Sequence, residues 1–194
     1  MAAELVAQLL RAGSDPQLPF QPIVSGGPNS ANPHAVPSDR PLQKGDLLVI
    51  DWGAAYESYY SDLTRTFVLG QPDEEQLRIA RLVENANAAG RAVARPGLRA
   101  GDVDAAARAV IEEGGYGQFF THRTGHGLGL ESPEPPYMFG ANDLLLEEGM
   151  TFTVEPGIYL PGKGGVRIED DMLITPNGAE SFSDMPRPLA VLSL

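Results

Sequence analysis

Four carboxylates fall into two pairs along this chain: Asp51 and Asp62 in one segment, Glu155 and Glu169 in another. Residues 46–68 and 151–174 each read as an apolar strand, a turn of small or polar residues, and a returning strand. Folding the first about the Tyr56–Glu57 bond sets residue 51 opposite residue 62. Folding the second about Gly162 sets residue 155 opposite residue 169. Directly opposed residues have Cβ atoms about 4.5–5.5 Å apart, and like charges placed there are destabilising. Two such conflicts call for a compensating cation, so a metal site is expected.

The four acids alone would suit Ca²⁺ or Mg²⁺, which take oxygen ligands. His126, flanked by glycines in Thr124–Leu130 (TGHGLGL), changes the choice. One imidazole with four carboxylates suits Mn²⁺, Co²⁺, Fe²⁺ or Zn²⁺. Five ligands are too many for one small ion that keeps an open position. Shared between two ions about 3.5–4 Å apart, with two carboxylates bridging, they fit a dinuclear centre. A single acid on a strand is more often a solvated face, but that reading explains the set poorly.

The elements that must position these groups follow from patterning. Residues 2–12 place Leu5, Leu9 and Leu10 at helical spacing, closed by Gly13. Residues 14–45 are rich in Pro, Gly, Ser and Asn around one short strand, 20–25, and carry His34 within NPHAVPSD. Helices are expected over 73–94 and 102–113, the second capped by Gly101 or Asp102. Leu77, Ala80, Val83, Ala88 and Val93 are the expected buried face of the first. Residues 121–137 look too rich in glycine and proline for regular structure, and a last strand is expected over 189–192. Two strand–turn–strand units separated by helices imply an α+β domain with internal pseudo-symmetry.

The chain has 194 residues, enough for one domain with a substantial core. Its 26 acids against 14 Lys+Arg give a formal charge of −12, which argues against nucleic-acid binding and against an anionic membrane surface. With no cysteine, disulfides and thiolate metal sites are excluded. The first residues lack the pattern of a signal peptide, and no run approaches the ~18 apolar residues of a membrane span. A cytoplasmic enzyme is the default expectation.

The segments DWGAAYESYYSDLTRTF (residues 51–67), TGHGLGL (124–130), TVEPGIY (153–159) and GVRIEDD (165–171) resemble the metal-site motifs of the pita-bread metallopeptidases, family M24. The combination is most similar to Xaa-Pro dipeptidase (prolidase) and aminopeptidase P, and it extends over essentially all of residues 1–194. The resemblance implies the pita-bread fold, with a pseudo-twofold antiparallel sheet flanked by helices. It implies two divalent ions, Mn²⁺ first and Co²⁺, Zn²⁺ or Fe²⁺ as alternatives. Asp51 would chelate one ion, Asp62 and Glu169 would bridge, and His126 and Glu155 would complete the other. A hydroxide activated at this centre would attack the first peptide bond of a peptide with a free amino terminus, Glu155 also carrying the proton to the leaving nitrogen. By the same resemblance His34 and His122 would be catalytic and substrate-binding, His34 contacting substrate near the metals and His122 positioning it or stabilising the tetrahedral species, and Arg167 either contacts substrate or holds Glu169. A homodimer is the assembly the resemblance leaves open.

The chain departs from the family pattern in two ways. The family usually places a further histidine seven residues past the metal-binding one, where this chain has Pro133. A proline donates no hydrogen bond, which leaves low activity, altered specificity or a substitute group as readings. The family's amino-terminal domain and one helix also precede the point where this sequence begins, so an exposed apolar face is expected on the first helix. Beside an exopeptidase of Xaa-Pro type stand a catalytically weak domain with a binding role and an aminopeptidase of non-proline specificity. Methionine aminopeptidase is disfavoured by GVRIEDD, and creatinase-like chemistry by the complete set of metal ligands.

Overall fold

The computed structural model describes residues 1–193. The first helix, α1 (Ala2–Arg11), has no fully buried residue; Leu10 is exposed on it while Leu5 and Leu9 are half-buried, so the apolar face expected to be exposed is open only in part. Strand β1 (Ile23–Gly26) begins three residues later than patterning suggested. Pro22, which precedes it, has no N–H to give a ladder. A 3-10 turn over Gly27–Ala31 follows.

Strand β2 (Leu47–Trp52) runs through a small ribbon, β3 (Ala55–Tyr56) and β4 (Tyr59–Tyr60), into β5 (Leu63–Leu69). The expected register of this hairpin is corrected here. Tyr56 pairs with Tyr59, and Asp51 faces Thr64 rather than Asp62. The turn is Glu57–Ser58, with φ of 50° and 70°. This two-residue form has both central residues at positive φ and matches the twist of the flanking strands. It usually carries Asn-Gly or Asp-Gly, and the missing signal hid it by one residue.

Helix α2 (Glu74–Val93) starts with a reciprocal capping box: Gln76 N donates to Asp73 Oδ1 (2.7 Å), and Asp73 N donates to Gln76 Oε1 (3.0 Å). Its buried stripe is Ile79, Ala80, Val83, Ala86, Asn87 and Gly90, whereas Leu77 and Ala88 face out. Helix α3 (Ala100–Glu113) begins at Ala100 with Arg99 as its first flanking residue, two residues before the expected start. The amides of Ala100 and Gly101 are satisfied by the carbonyls of Leu144 and Asn142, so no side-chain cap is needed there.

Strands β6 (Gly125–Gly127) and β7 (Glu134–Met138) occupy the stretch expected to be irregular. After them come β8 (Thr151–Val154), β9 (Gly157–Leu160), β10 (Gly164–Arg167), β11 (Asp170–Thr175), β12 (Gly178–Ser181) and β13 (Ala190–Leu192). One sheet has the order β1-β2-β5-β13, its last pair parallel; another has the order β12-β11-β8-β6-β7. Residues of α2 and α3 join β2, β5, β9 and β10 in one apolar cluster around Val83, Ile111, Ile158 and Ile168. A second cluster, around Phe152, Val154, Met138 and Met172, continues it under the other sheet. No helix among the described residues is long and apolar enough to cross a membrane.

Candidate metal centre

Strand alternation places the second acid pair. Val154, Val166 and Ile168 point into the helix-covered core, so Glu155, Arg167 and Glu169 between and beside them point to the opposite face. The turn at Gly162, with φ +78°, sets the register of β9 against β10, with Gly157 facing Arg167. Beyond it Val154 faces Asp170. Residues 155 and 169 therefore lie opposite each other between two ladders of one register, as the spacing indicated. Glu155 N is held by Thr124 O (2.7 Å), and Glu169 N by Thr64 O (3.1 Å).

The first pair reaches the same face along a diagonal. Asp62 lies two residues before Thr64, the cross-strand partner of Asp51, and so shares its face. Its amide donates to Asp171 Oδ2 at 3.0 Å.

His126 arrives on β6, where the flanking glycines are a packing requirement. A Cβ on Gly125 would meet Thr153 O at 1.8 Å, and one on Gly127 would meet Pro135 O at 2.3 Å. Glycine here signals close strand approach rather than loop. His126 Nδ1 lies 3.0 Å from Gly127 O. A carbonyl only accepts, so Nδ1 carries the proton and Nε2 presents its lone pair. That nitrogen lies 3.6 Å from Asp62 Oδ2 and 3.6 Å from Glu155 Oε1.

One ligand atom each from Asp62, His126 and Glu169 lies within 4.8 Å of the others. Asp51 is fixed to the group through Arg167, whose Nη2 lies 2.5 Å from Asp51 Oδ2. Asp51 Oδ1 and Asp62 Oδ1 are buried without a hydrogen-bond partner. Buried carboxylate oxygens are rarely left so, and here they point to a cation as the missing partner.

The electrostatics agree. Burial, then the charges of Asp51, Glu155 and Asp171, hold the Asp62 carboxyl well above its ordinary value. Burial, then Asp62, Glu155 and Asp51, do the same to Glu169. Glu155 is pushed up to about 7, chiefly by burial. Burial also raises Asp51, although Arg167 opposes it, and lowers His126. A cluster of acids that resists ionisation alone, beside a neutral imidazole with a free lone pair, has the donor set a divalent cation needs.

These groups line a cavity of about 810 Å³, together with His34, His122, Arg167 and Pro133. All eight residues singled out from the sequence, Asp51, Asp62, His126, Glu155, Glu169, His34, His122 and Arg167, thus meet at one cavity. Arg167 Nε also donates to Thr64 Oγ1 (3.1 Å), and Nη1 to Tyr159 Oη (3.2 Å). His122 Nδ1 donates to Arg123 O (2.7 Å), so its Nε2 accepts from Tyr159 Oη (2.7 Å). Burial lowers the His122 pKa to about 4, which keeps the ring neutral in this relay.

Several supporting residues escaped sequence reasoning. Thr64 Oγ1 donates to Glu169 Oε2 (2.6 Å). Arg65, almost fully buried, donates to the carbonyls of Thr64 (2.9 Å) and Glu169 (2.7 Å) and pairs with Asp170 (2.7 Å). Asp104 accepts from Thr124 N and Oγ1 (3.0 and 2.8 Å), while Arg108 donates to His122 O (2.9 Å). Most of these partners are separated by 14 to 105 residues.

Residues 1–176 match the sequence profile of metallopeptidase family M24. The Xaa-Pro dipeptidase of Pyrococcus furiosus is 45% identical over 187 residues, 96% of this chain and 54% of that protein. The crystal structure of dipeptidase PepE from Mycobacterium ulcerans superimposes with a TM-score of 0.96 at 43% identity, over 100% of this chain and 52% of that one. That of the X-Pro aminopeptidase from Thermotoga maritima gives 0.95 at 41%, over 98% and 54%. The chain spans about half the length of the relatives it matches.

Proposed function

The chain belongs to metallopeptidase family M24 and has its pita-bread fold, and from that premise we propose that it is the catalytic domain of a metal-dependent exopeptidase cleaving amino-terminal Xaa-Pro or related bonds. The observation that carries this reading is the aim of the neutral His126 Nε2 lone pair at Asp62 and Glu155, 3.6 Å from each, within a buried group of acids. Asp51, Asp62, His126, Glu155 and Glu169 would hold two divalent ions, Mn²⁺ first by family, with Co²⁺, Zn²⁺ or Fe²⁺ as alternatives. Ions held there supply a Lewis acid for the peptide carbonyl and make a water easily deprotonated at neutral pH.

The chain's own residues do the rest. Glu155, which burial and then the charge of Asp51 push up to about 7 against the opposing Arg167, is suited to take a proton from the attacking water and deliver it to the leaving nitrogen. Arg167 holds Asp51 and, through Thr64, Glu169, so one guanidinium orients acids from both hairpins. His122 steadies Tyr159 beside Arg167, and His34, an exposed residue of the cavity lining, is placed to meet substrate. The acids at its floor suit a peptide's ammonium end.

Pro133 favours a second reading, a domain of weak catalysis used for binding, because it fills a lining position with a side chain that donates nothing. Metal-reconstituted hydrolysis separates the two. Released alanine from Ala-Pro, compared with Ala-Pro-Ala and Met-Ala, is the expected result. Absence of turnover with Mn²⁺, Co²⁺ and Zn²⁺ alike would remove the peptidase reading for this chain.

A further inference from the structure

Helix α3 carries a buried acid that none of the chemistry above uses. Asp104 is almost fully buried. Its carboxylate accepts from Thr124 N (3.0 Å), Thr124 Oγ1 (2.8 Å), Arg108 Nε (3.1 Å) and Arg108 Nη2 (3.0 Å), which uses the acceptor capacity of an ionised carboxylate. Arg108 spends its other contacts on the segment that Thr124 belongs to. Nη1 donates to Phe120 O (3.0 Å), and Nη2 also donates to His122 O (2.9 Å). The helix thus grips this segment at every second residue, Phe120, His122 and Thr124. A buried ion pair is a weak source of net stability, because desolvation offsets its attraction. What this one supplies is a fixed position for the segment in its grip.

Thr124 passes that position to two residues of the metal centre. Its carbonyl accepts from Glu155 N (2.7 Å), and His126 lies two residues on, in the strand that begins at Gly125. The remaining acids answer to other partners. Arg167 holds Asp51 and, through Thr64, Glu169, while Asp171 holds the amide of Asp62. Among the described residues, no hydrogen bond runs directly from Asp104, Arg108 or Thr124 to Asp51, Asp62 or Glu169.

We propose that Asp104 is a positioning residue for one half of the metal centre. Acting through Thr124, it sets the ion position that His126 and Glu155 complete, and it leaves the position at Asp51 to Arg167. This rests on the two-ion reading above. The two positions can then be weakened separately, by substitutions on different elements of the fold.

The test titrates the metal-free chain with Mn²⁺ by calorimetry, comparing wild type with Asp104→Asn, Thr124→Val and Thr124→Ser. His126→Ala identifies which of the two binding steps belongs to the ion that His126 holds. Asp104→Asn is expected to weaken that step by roughly 10–100-fold, the usual effect of a group that orients a metal ligand, and to leave the other step unchanged. Thr124→Val, which removes only the hydroxyl, should weaken the same step by less, and Thr124→Ser should restore it. Circular dichroism and thermal melting check the fold, and the Val and Ser variants decide the matter if Asp104→Asn does not fold. Equal weakening of both steps, which a merely structural residue would produce, overturns the proposal, as does wild-type affinity at the His126 step. A wild type that binds a single ion removes the two-ion reading alone. The role of Asp104 then stands if His126→Ala and Asp104→Asn both weaken that ion, and falls if Asp104→Asn leaves it untouched.

Discussion

Thr64 and Glu169 are joined twice across 105 residues of sequence: Thr64 Oγ1 donates to Glu169 Oε2 at 2.6 Å, and Glu169 N donates to Thr64 O at 3.1 Å. The hydroxyl in turn accepts from Arg167 Nε at 3.1 Å. Thr64→Val keeps the shape and backbone bond but removes the hydroxyl from both contacts. Residues that orient a metal ligand typically contribute 10–100-fold in affinity. The variant is expected to lose roughly tenfold or more in Mn²⁺ affinity, measured by competition with a chelating dye, with an unaltered circular dichroism spectrum. An affinity equal to wild type would show that Thr64 is only a packing residue.

The acid cluster sets a pH dependence of stability whose sign depends on the metal. In the metal-free chain Asp62 and Glu169 are raised well above their ordinary values, and Glu155 and Asp171 are raised to about 7. The folded state therefore binds more protons than the unfolded chain, and stability falls as pH rises through these values. His122, lowered to about 4, acts oppositely, but only below about pH 6.5, where an unfolded histidine charges. Between pH 6.5 and 8 the melting temperature of the EDTA-treated protein should fall by a few degrees, on the order of 1 kcal/mol. With Mn²⁺ present the fall should vanish or reverse, because the ion binds the ionised carboxylates. A melting temperature that climbs over this window without metal contradicts the assignment.

Asp62 also separates stability from function. Asp62→Asn removes a buried acid that shares its site with Asp51, Glu155, Asp171 and Glu169 while keeping its size. In the metal-free protein at pH 8 this variant should melt above wild type, as happens when a strained charge is taken from a functional site. Stoichiometric binding of two ions, read by elemental analysis, should be lost. Retention of both ions would refute the proposed bridging role.

The pairing of the acids was legible because hydrophobic alternation and turn residues write themselves locally. Gly162 marked the second turn, and the register on both sides of Glu155 and Glu169 follows from it. Glu57–Ser58 carries no glycine, so the first turn was placed one residue early and its register two residues out. The parity survived, which is why Asp51 and Asp62 still share a face. The strands β6 and β7 were missed because glycine and proline ordinarily punctuate loops; there Gly125 and Gly127 admit neighbouring backbone instead. Thr64, Arg65, Asp104 and Tyr159 were invisible for another reason. Their partners are brought to them by tertiary folding, and nothing local distinguishes them.

That reading of the glycines has a direct consequence. Gly125→Ala puts a methyl group 1.8 Å from the carbonyl oxygen of Thr153, and the strands must part to admit it. Overpacking of this kind typically costs about 1–3 kcal/mol. The neighbouring bond from His126 N to Thr153 Oγ1 (3.1 Å) lies in the same contact, so metal affinity should fall with stability. Thermal melting and dye competition measure the two losses. A variant with wild-type values in both would mean that the ladder is looser than it appears.

Pro133 lines the cavity that the acids open onto. A proline there supplies no donor to an oxyanion, and one such donor elsewhere is worth roughly 10²–10³ in rate. Pro133→His should therefore raise kcat on Ala-Pro by about tenfold or more, with KM little changed, because the new contact forms in the transition state rather than with bound substrate. The gain should depend on pH, since only the added imidazole is new between the two proteins. Steady-state rates at several pH values for both enzymes decide the matter. An unchanged kcat would show that the remaining groups around the metal centre already suffice.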